Sequence, residues 1–485
     1  MKPVVTPTEM RLADAAAIAS LGSSAELMRR AGAAVGRAAL RVLGHGYGRR
    51  VTVVCGKGNN GGDGLIAAAW LARRGVHCTI VSVDDPRMSH LLVSALARSD
   101  LVIDAIVGMG FRGRLDGNLD KAVELLNESR VPVVSIDIPS GVNGESGAVE
   151  TRAVRAVVTV ALAALKPGLL LHPGASFSGK IEVADIGIAD ELMSTDLNVA
   201  EAEDVRGMLV GRLPDSNKRS VGKVLVVGGS PGMSGAAVLA ARGALRAGAG
   251  LVKLAVPSGL ADLVDRSVPE VLVCGLAEAR GGGIEPSAAG QVAELTVDQD
   301  AVALGPGLGR DDGTAEFVRK VLHAIDKPLV IDADGLNAFG QEISEIAHRK
   351  QPTILTPHSG ELARLVGTTA DEVDADRIKA TREASRVSES VVLLKGSPTV
   401  VASPDGRTVL IDAGGPLLST AGTGDVLTGI IAALAAHLAV FDAAWVGAYV
   451  HGRAADLLAP SFGDRGMTAG DLVDAIPLAI VEARS

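Results

Sequence analysis

Aromatic residues are nearly missing from this chain: Phe, Tyr and Trp together make up 2% of its 485 residues, and only two of them are tryptophan. Without large rings the interior has to be filled by Ala, Val and Leu, which demands helices and strands that approach closely, as in an α/β protein. Cysteine is as scarce. Cys55, Cys78 and Cys274 cannot all pair and form no C-x-x-C spacing, which excludes a disulfide framework and a structural zinc site and points to a reducing compartment. The opening MKPVVTPTEMRLAD has none of the continuous apolar stretch of a signal peptide, and the alanine-rich segments further on are broken by Arg, Lys or Gly. Positive charge is in deficit, with 47 Lys and Arg against 56 Asp and Glu and a net charge of −9, so neither nucleic acid nor an anionic membrane is an expected partner. A cytoplasmic protein without membrane attachment is the expectation.

Glycine, by contrast, is plentiful at 59 residues, and the balance of 47% hydrophobic to 21% charged is that of a globular protein. The length exceeds what one core ordinarily holds, so two or three domains are expected. Leu12, Ala15 and Ile18, then Leu27, Ala31, Val35 and Leu40, are spaced as on two helices, predicted to precede any strand. From Val51 short apolar runs ending in Gly or Asp take over (VTVVCG, HCTIVSV, DLVIDAIVG, VPVVSIDIPSG, AVVTVAL), separated by segments of helix length. That alternation predicts a largely parallel sheet with helices on both faces, its ligands beyond the carboxyl ends of the strands. Residues 190–217 are acidic and strand-poor, after which the alternation restarts with GKVLVVGGS, GLVKLAVP, DAVALGPGLG, KPLVIDADG, QPTILTPHSGE and SVVLLKGSPTVVA. The boundary is placed near Gly211, giving domains over residues 1–212 and 213–485, and the differing motifs of the halves argue against internal duplication.

Gly56, Gly58 and Gly61 in VVCGKGNNGGDG satisfy G-x-G-x-x-G after a strand, and Asp84 and Asp85 end the next strand. Asp63 weighs against simple pyrophosphate binding, because a carboxylate in the first turn of the following helix repels phosphate; lacking G-K-[ST], the segment is no P-loop either. The uninterrupted NNGGDG, with two carboxamides, two flexible glycines and a carboxylate, can wrap a polar ligand, the plain alternative being a tight turn with Asp63 as helix cap. Asp104 in VIDAIVGMGFRGR, and Asp137 with Ser140 in SIDIPSG, end further strands and converge with NNGGD on one rim.

NNGGDG, DAIVGMGFRG and DIPSG, in that order and spacing, resemble the NAD(P)H-hydrate epimerase domain over about residues 1–212, which implies a Rossmann-like parallel sheet. The resemblance implies that Asn59, Asn60, Gly61, Gly62 and Asp63, then Gly108, Met109, Gly110, Phe111, Arg112, Gly113 and Arg114, together with Asp137, bind the hydrated nicotinamide nucleotide. It also implies that Asn60, Asp104 and Ser140 help hold potassium, and an all-oxygen set suits such a cation better than a soft transition metal. Epimerisation at C6 of the hydrated ring needs loss and readdition of oxygen at one carbon. Asp137 is the candidate acid/base, the competing role being that it only holds a ribose or ring hydroxyl.

In the second half, STAGTGDVLTGIIAAL sets Gly422, Thr423 and Gly424 ahead of an apolar helix, whose backbone N–H groups and dipole can receive phosphate charge. Asp425 starts that helix, as a base toward an attacking hydroxyl or as a plain N-terminal cap. Lys395, Gly396, Ser397, Pro398 and Thr399 follow the strand SVVLL with a cation, a turn and a hydroxyl. His358 and Glu361 in LTPHSGELARL lack the second His of a zinc hydrolase, leaving His358 as a substrate contact or a helix-start hydrogen bond. Asp332 and Asp334 fit either magnesium held through water or a turn, and stay unassigned. GGSPGMSGAAVLAARGALRAGAGLV, GPGLG, TPHSGE, KGSPT and AGTGDVLTG together resemble the ADP-dependent NAD(P)H-hydrate dehydratase of the ribokinase-like superfamily over about residues 213–485. That likeness implies a ribokinase-like α/β domain, hydrated-nucleotide contacts at Ala236, Gly307, His358 and Asp425, and adenine-nucleotide contacts at residues 395–399 and Gly424.

The two resemblances together imply repair of nicotinamide nucleotides: the R and S forms of NADHX and NADPHX are interconverted, and the S form is dehydrated at the expense of ADP, giving AMP and phosphate. In such chemistry Asp425 deprotonates the C6 hydroxyl, the nucleotide phosphorylates it with magnesium neutralising the phosphates, and phosphate leaves. Two other readings stay open: a ribokinase-like small-molecule kinase with an N-terminal nucleotide-binding regulatory module, and a first half that binds or dimerises without catalysis. A closed homo-oligomer is the expected assembly.

Overall fold

The computed structural model describes residues 1–209, 211, 214, 215, 217, 218 and 221–485, so the boundary expected between residues 212 and 213 lies outside the described residues. By packing, the chain forms two compact units, Lys2–Leu197 and Asn198–Ser485.

The first unit opens on a two-residue strand, Lys2–Pro3, that the apolar pattern does not signal, and then on the two predicted helices, α1 (Pro7–Leu21) and α2 (Ala25–Leu43). Thr6 starts α1: its hydroxyl accepts the Glu9 N–H at 3.2 Å, the Glu9 carboxylate accepts the Thr6 N–H at 2.7 Å, and Pro7 fills the first helical position. Strands β1 (Arg50–Cys55), β2 (His77–Ser82), β3 (Leu101–Ala105), β4 (Val133–Ile136), β5 (Val158–Leu162) and β6 (Lys180–Ala184) are all parallel, in the order β2-β1-β3-β4-β5-β6. Helices α3 (Asn59–Ala72), α4 (Met88–Leu96) and α5 (Gly117–Ser129) follow β1, β2 and β3. One face is covered by α2 and α3 through Val35, Ala38 and Leu71, the other by α4 and α5 through Leu92, Val123 and Leu126. The sheet is thus the Rossmann-like doubly wound kind in its flavodoxin-type order, which opens a crevice between β1 and β3. The near absence of aromatics has its counterpart where α2 meets α3: a Cβ on Gly36 would come within 2.5 Å of the Trp70 ring. Arg74 lies on the same ring, 3.5 Å from its centroid.

In the second unit, β7 (Lys223–Val227), β8 (Leu251–Pro257), β9 (Leu272–Leu276), β10 (Ala301–Leu304), β11 (Leu329–Ile331), β12 (Thr353–Leu355) and β13 (Val391–Leu394) are parallel. Antiparallel β14 (Thr399–Ala402) and β15 (Thr408–Ile411) extend them, in the order β9-β8-β7-β10-β11-β12-β13-β14-β15. The order reverses at β7 and β10, the switch point at which sheets of this kind bind their ligands. The helices that matter for the site are α6 (Ser234–Arg246), α7 (Asp312–Ala324), α8 (Ser359–Val366), α9 (Arg377–Ser388), α10 (Thr423–Ala435), α11 (Val440–Phe462) and α12 (Ala469–Arg484). A core of Val, Ile, Leu and Ala encloses Trp445 completely. Residues just after Leu197 belong to this unit because they pack on it: the Ala200 N–H bonds to Leu410 O of β15 at 3.1 Å, and Val205 and Leu209 are part of its core. No described helix is long and apolar enough to cross a membrane.

Candidate active sites in the two units

A cavity of about 1000 Å³ occupies the β1/β3 crevice of the first unit. NNGGDG opens α3 with Gly58 at the N-cap, and Asp63 is the fifth helical residue, so it is neither the cap nor, as the sequence suggested, a carboxylate in the first turn. Gly61 has no room for a side chain, since a Cβ would stand 2.0 Å from the Gly56 carbonyl oxygen, and this contact seats the turn on the end of β1. Asn59, Asn60 and Asp63 line the cavity from this helix start. Asp63 is buried, and its Oδ1 has no hydrogen-bond partner. Burial, with Asp137 and Asp14 adding to it, pushes the Asp63 carboxyl up to about 7. Asp14 enters the cavity from α1 and is also raised by burial, against the pull of Lys166 and with Asp137 assisting.

Asp104, fully buried at the end of β3, accepts hydrogen bonds from Ser135 Oγ (2.8 Å), Ser140 Oγ (2.6 Å), Ser140 N (2.9 Å) and Ile106 N (3.2 Å). Burial raises its pKa against those four bonds. The Val107 peptide links the other two members of the expected cation set: its N–H donates to Ser140 Oγ at 3.0 Å, and its carbonyl accepts from Asn60 Nδ2 at 3.0 Å. Asp137 adopts φ +66°, a left-handed conformation that turns its carboxylate onto Lys166 Nζ and the Leu162 N–H (3.2 Å). Lys166 is fully buried and donates also to Leu162 O at 2.6 Å. Gly108, Met109, Gly110 and Phe111 line the cavity; Arg112, Gly113 and Arg114 do not, and Arg112 instead meets Glu145 at 3.0 Å.

In the second unit Lys395 stands beside Gly424 and Asp425 at the start of α10. Gly422 takes the N-cap position, so Asp425 stands inside the first turn and is not the cap. His451 of α11 holds this turn from below through an Nε2 hydrogen bond of 2.9 Å to Thr423 O; burial lowers its pKa to about 4, leaving a neutral ring with the proton on Nε2. Lys395 Nζ ion-pairs with Asp332 at 2.7 Å and lies 3.9 Å from Glu361, while a Cβ on Gly424 would be 3.4 Å from it. The second oxygen of Asp332 accepts the Thr428 hydroxyl at 2.5 Å. Burial, with Asp332 adding and Lys395 opposing, pushes the Asp425 carboxyl up to about 7. His358 caps α8, its Nδ1 accepting the Gly360 N–H at 3.0 Å, so the helix-start bond is present, and its Nε2 lies 3.5 Å from Glu361 Oε1. Gly307 (φ +67°) and Ala236 are neighbours: a Cβ on Gly307 would be 3.2 Å from that of Ala236. The turn 395–399 is fixed by Arg377, which donates to Lys395 O at 2.9 Å and to the Leu394 and Pro398 carbonyls at 3.4 Å. Asp334, at the start of the turn after β11, accepts from Gly309 N and Arg310 Nε of the segment after β10 and from Asn337 Nδ2.

Known proteins match both units. A family model described as NAD(P)H-hydrate dehydratase matches residues 224–478, and one described as YjeF-related protein N-terminus matches residues 24–98 and 86–168. A bifunctional NAD(P)H-hydrate repair enzyme of Moorella thermoacetica is 40% identical over 460 residues, 88% of this chain and 87% of its own length. The chain belongs to the bifunctional NAD(P)H-hydrate repair enzyme family. A relative of the same description from Escherichia coli is 34% identical, covering 92% of this chain and 88% of its own. Among solved structures, the ADP/ATP-dependent NAD(P)H-hydrate dehydratase of Bacillus subtilis, co-crystallised with ATP and Mg²⁺, covers 59% of this chain and 98% of its own at 30% identity and a TM-score of 0.51. A ribokinase-like superfamily protein of Enterococcus faecalis, at 22% identity and a TM-score of 0.52 over 60% of this chain and 97% of its own, matches in fold. The expected α/β class with a ribokinase-like second half is borne out.

Lys166, Asp14, Thr428, His451 and Arg377 were not singled out from the sequence, because only the folded chain brings them to the sites. One signal was available for Lys166. It is the lone charge in AVVTVALAALKPG, directly after a strand, and a buried lysine requires a partner.

Proposed function

We propose that this protein repairs hydrated nicotinamide nucleotides, residues 1–212 interconverting the R and S forms of NADHX and NADPHX and residues 213–485 dehydrating the S form with ADP, which leaves AMP and phosphate. The observation that carries this reading is the match to a bifunctional relative across both units, with both motif sets standing at the carboxyl ends of their sheets. In the second unit, Asp425 takes the proton of the C6 hydroxyl as that oxygen attacks the terminal phosphoryl group. A carboxyl held near 7 is matched to that task. The N-terminal turn of α10 receives phosphate charge, and the turn 395–399 holds the nucleotide. Phosphate is then a better leaving group than hydroxide, and its departure restores the dihydropyridine ring.

Among the described residues no three His, Cys, Asp or Glu side chains are grouped to hold a metal, and Asp332 and Asp334 are engaged within the protein. We therefore assign magnesium to the nucleotide's phosphates. Potassium is assigned to Asn60, Asp104 and Ser140, whose side chains offer oxygen ligands: burial penalises the Asp104 carboxylate and its four hydrogen bonds come from neutral groups, so a bound cation would favour the charged form.

The test follows the near-ultraviolet absorbance of reduced nicotinamide on mixed R and S NADHX with magnesium, potassium and ADP. Intact protein is expected to recover the whole mixture, Asp137→Ala only the S fraction, and Asp425→Ala none. A stable phosphorylated product would make the second unit a small-molecule kinase, and no recovery with ADP or ATP would overturn the reading.

A further inference from the structure

Of the four carboxyl groups that line the first unit's cavity, Asp14, Asp63, Asp84 and Asp137, two stand in opposite circumstances. Asp137 is engaged: Lys166 Nζ and the Leu162 N–H both meet its Oδ1, and an ion-paired carboxylate can accept a proton but has none to give. Asp63 is 6% exposed and lines the same cavity, with an Oδ1 that nothing in the protein satisfies. An unpartnered buried oxygen costs far less on a neutral carboxyl than on a carboxylate. We propose that Asp63 is the proton donor that releases the C6 oxygen during epimerisation and that Asp137, paired with Lys166, is the complementary acceptor. This rests on reading the first unit as an epimerase.

The steps balance without redox chemistry. The lone pair of the ring nitrogen forms the C6=N1 bond while the C6–O bond breaks, and the departing oxygen takes the Asp63 proton and leaves as water. Water adds to the other face of the planar cation, the C6=N1 pair returns to nitrogen, and the surplus proton passes to Asp137. The enzyme is left with its two protonation states exchanged, which is the arrangement that drives the reverse direction; re-equilibration through solvent resets it.

Asp14 from α1 and Asp137 after β4 act on Asp63; Lys166 after β5, Arg11, Lys57 and Asp84 complete the charged lining of the cavity, and α2 presents Leu27, Met28 and Ala31. Burial and the neighbouring carboxylates hold Asp63 near 7, in keeping with a neutral donor at physiological pH.

The test uses the intact chain. Asp63→Asn is expected to slow interconversion of R and S NADHX by about 100-fold or more in both directions. KM should change little, and ADP-dependent dehydration of S-NADHX should stay at its wild-type rate, which also reports that the chain is folded. Near-wild-type interconversion by Asp63→Asn would overturn the proposal. Two readouts on the unmodified protein stand apart from any folding defect: interconversion should slow as pH rises through 7, and in ¹⁸O-water each inversion should place one ¹⁸O on C6. A rate flat across neutral pH, or inversion that retains ¹⁶O, overturns it. Intact protein that leaves the R to S ratio untouched overturns the epimerase reading itself, an outcome distinct from losing only the Asp63 effect.

Discussion

Asp63 and Asp425 are both raised to about 7, each chiefly by burial, yet the two reactions need them in opposite forms. Asp425 must be ionised to accept the C6 hydroxyl proton, so dehydration should fall as pH drops below about 7. Asp63 must be protonated to donate, so epimerisation should fall as pH climbs above it. The two rates, measured separately on S-NADHX with ADP and on R-NADHX alone, are expected to cross near neutrality. Lys395 pulls the Asp425 carboxyl downward, so Lys395→Met should shift the dehydration limb to higher pH while leaving the epimerisation limb in place. A dehydration limb that does not move with Lys395 would show that another group sets it.

Each site depends on how one helix is seated. α10 is pressed on α6 so tightly that a Cβ on Gly429 would stand 1.9 Å from Ala240 O. Gly429→Ala must separate the pair or shift the AGTGD turn, at a cost of about 1–3 kcal/mol. The expected result is a lower denaturation midpoint for the second unit and a dehydration rate that falls more than the epimerisation rate. At this scale the sequence was largely readable: apolar runs ending in Gly or Asp became the parallel strands, and NNGGDG and AGTGD became helix starts because each is contiguous in the chain. What stayed hidden was made by packing across the sheet. Asp332 and Lys395 close an ion pair from the ends of β11 and β13, with β12 between them, and no local pattern announces that. Lys166 reaches Asp137 only because Asp137 takes a left-handed backbone, a choice that the sequence DIPSG does not advertise for an Asp.

Across the whole molecule, the residues of each site come from a single unit with its own core. A chain carrying Asp137→Ala should therefore complement one carrying Asp425→Ala: the first retains dehydration, the second retains epimerisation, and NADHX released by one is open to the other. Full recovery from the equimolar mixture, with each variant alone falling short, is the expected result; failure would mean that the substrate never leaves the chain on which it was inverted. The scarcity of rings adds a practical property. Trp70 is half-buried under the Arg74 guanidinium in the first unit, whereas Trp445 is sealed in the second with its Nε1 on Asp442 at 3.0 Å. With one indole in each half and no others, the protein carries its own pair of fluorophores, and replacing either by Phe turns emission from the remaining one into an optical record of a single half.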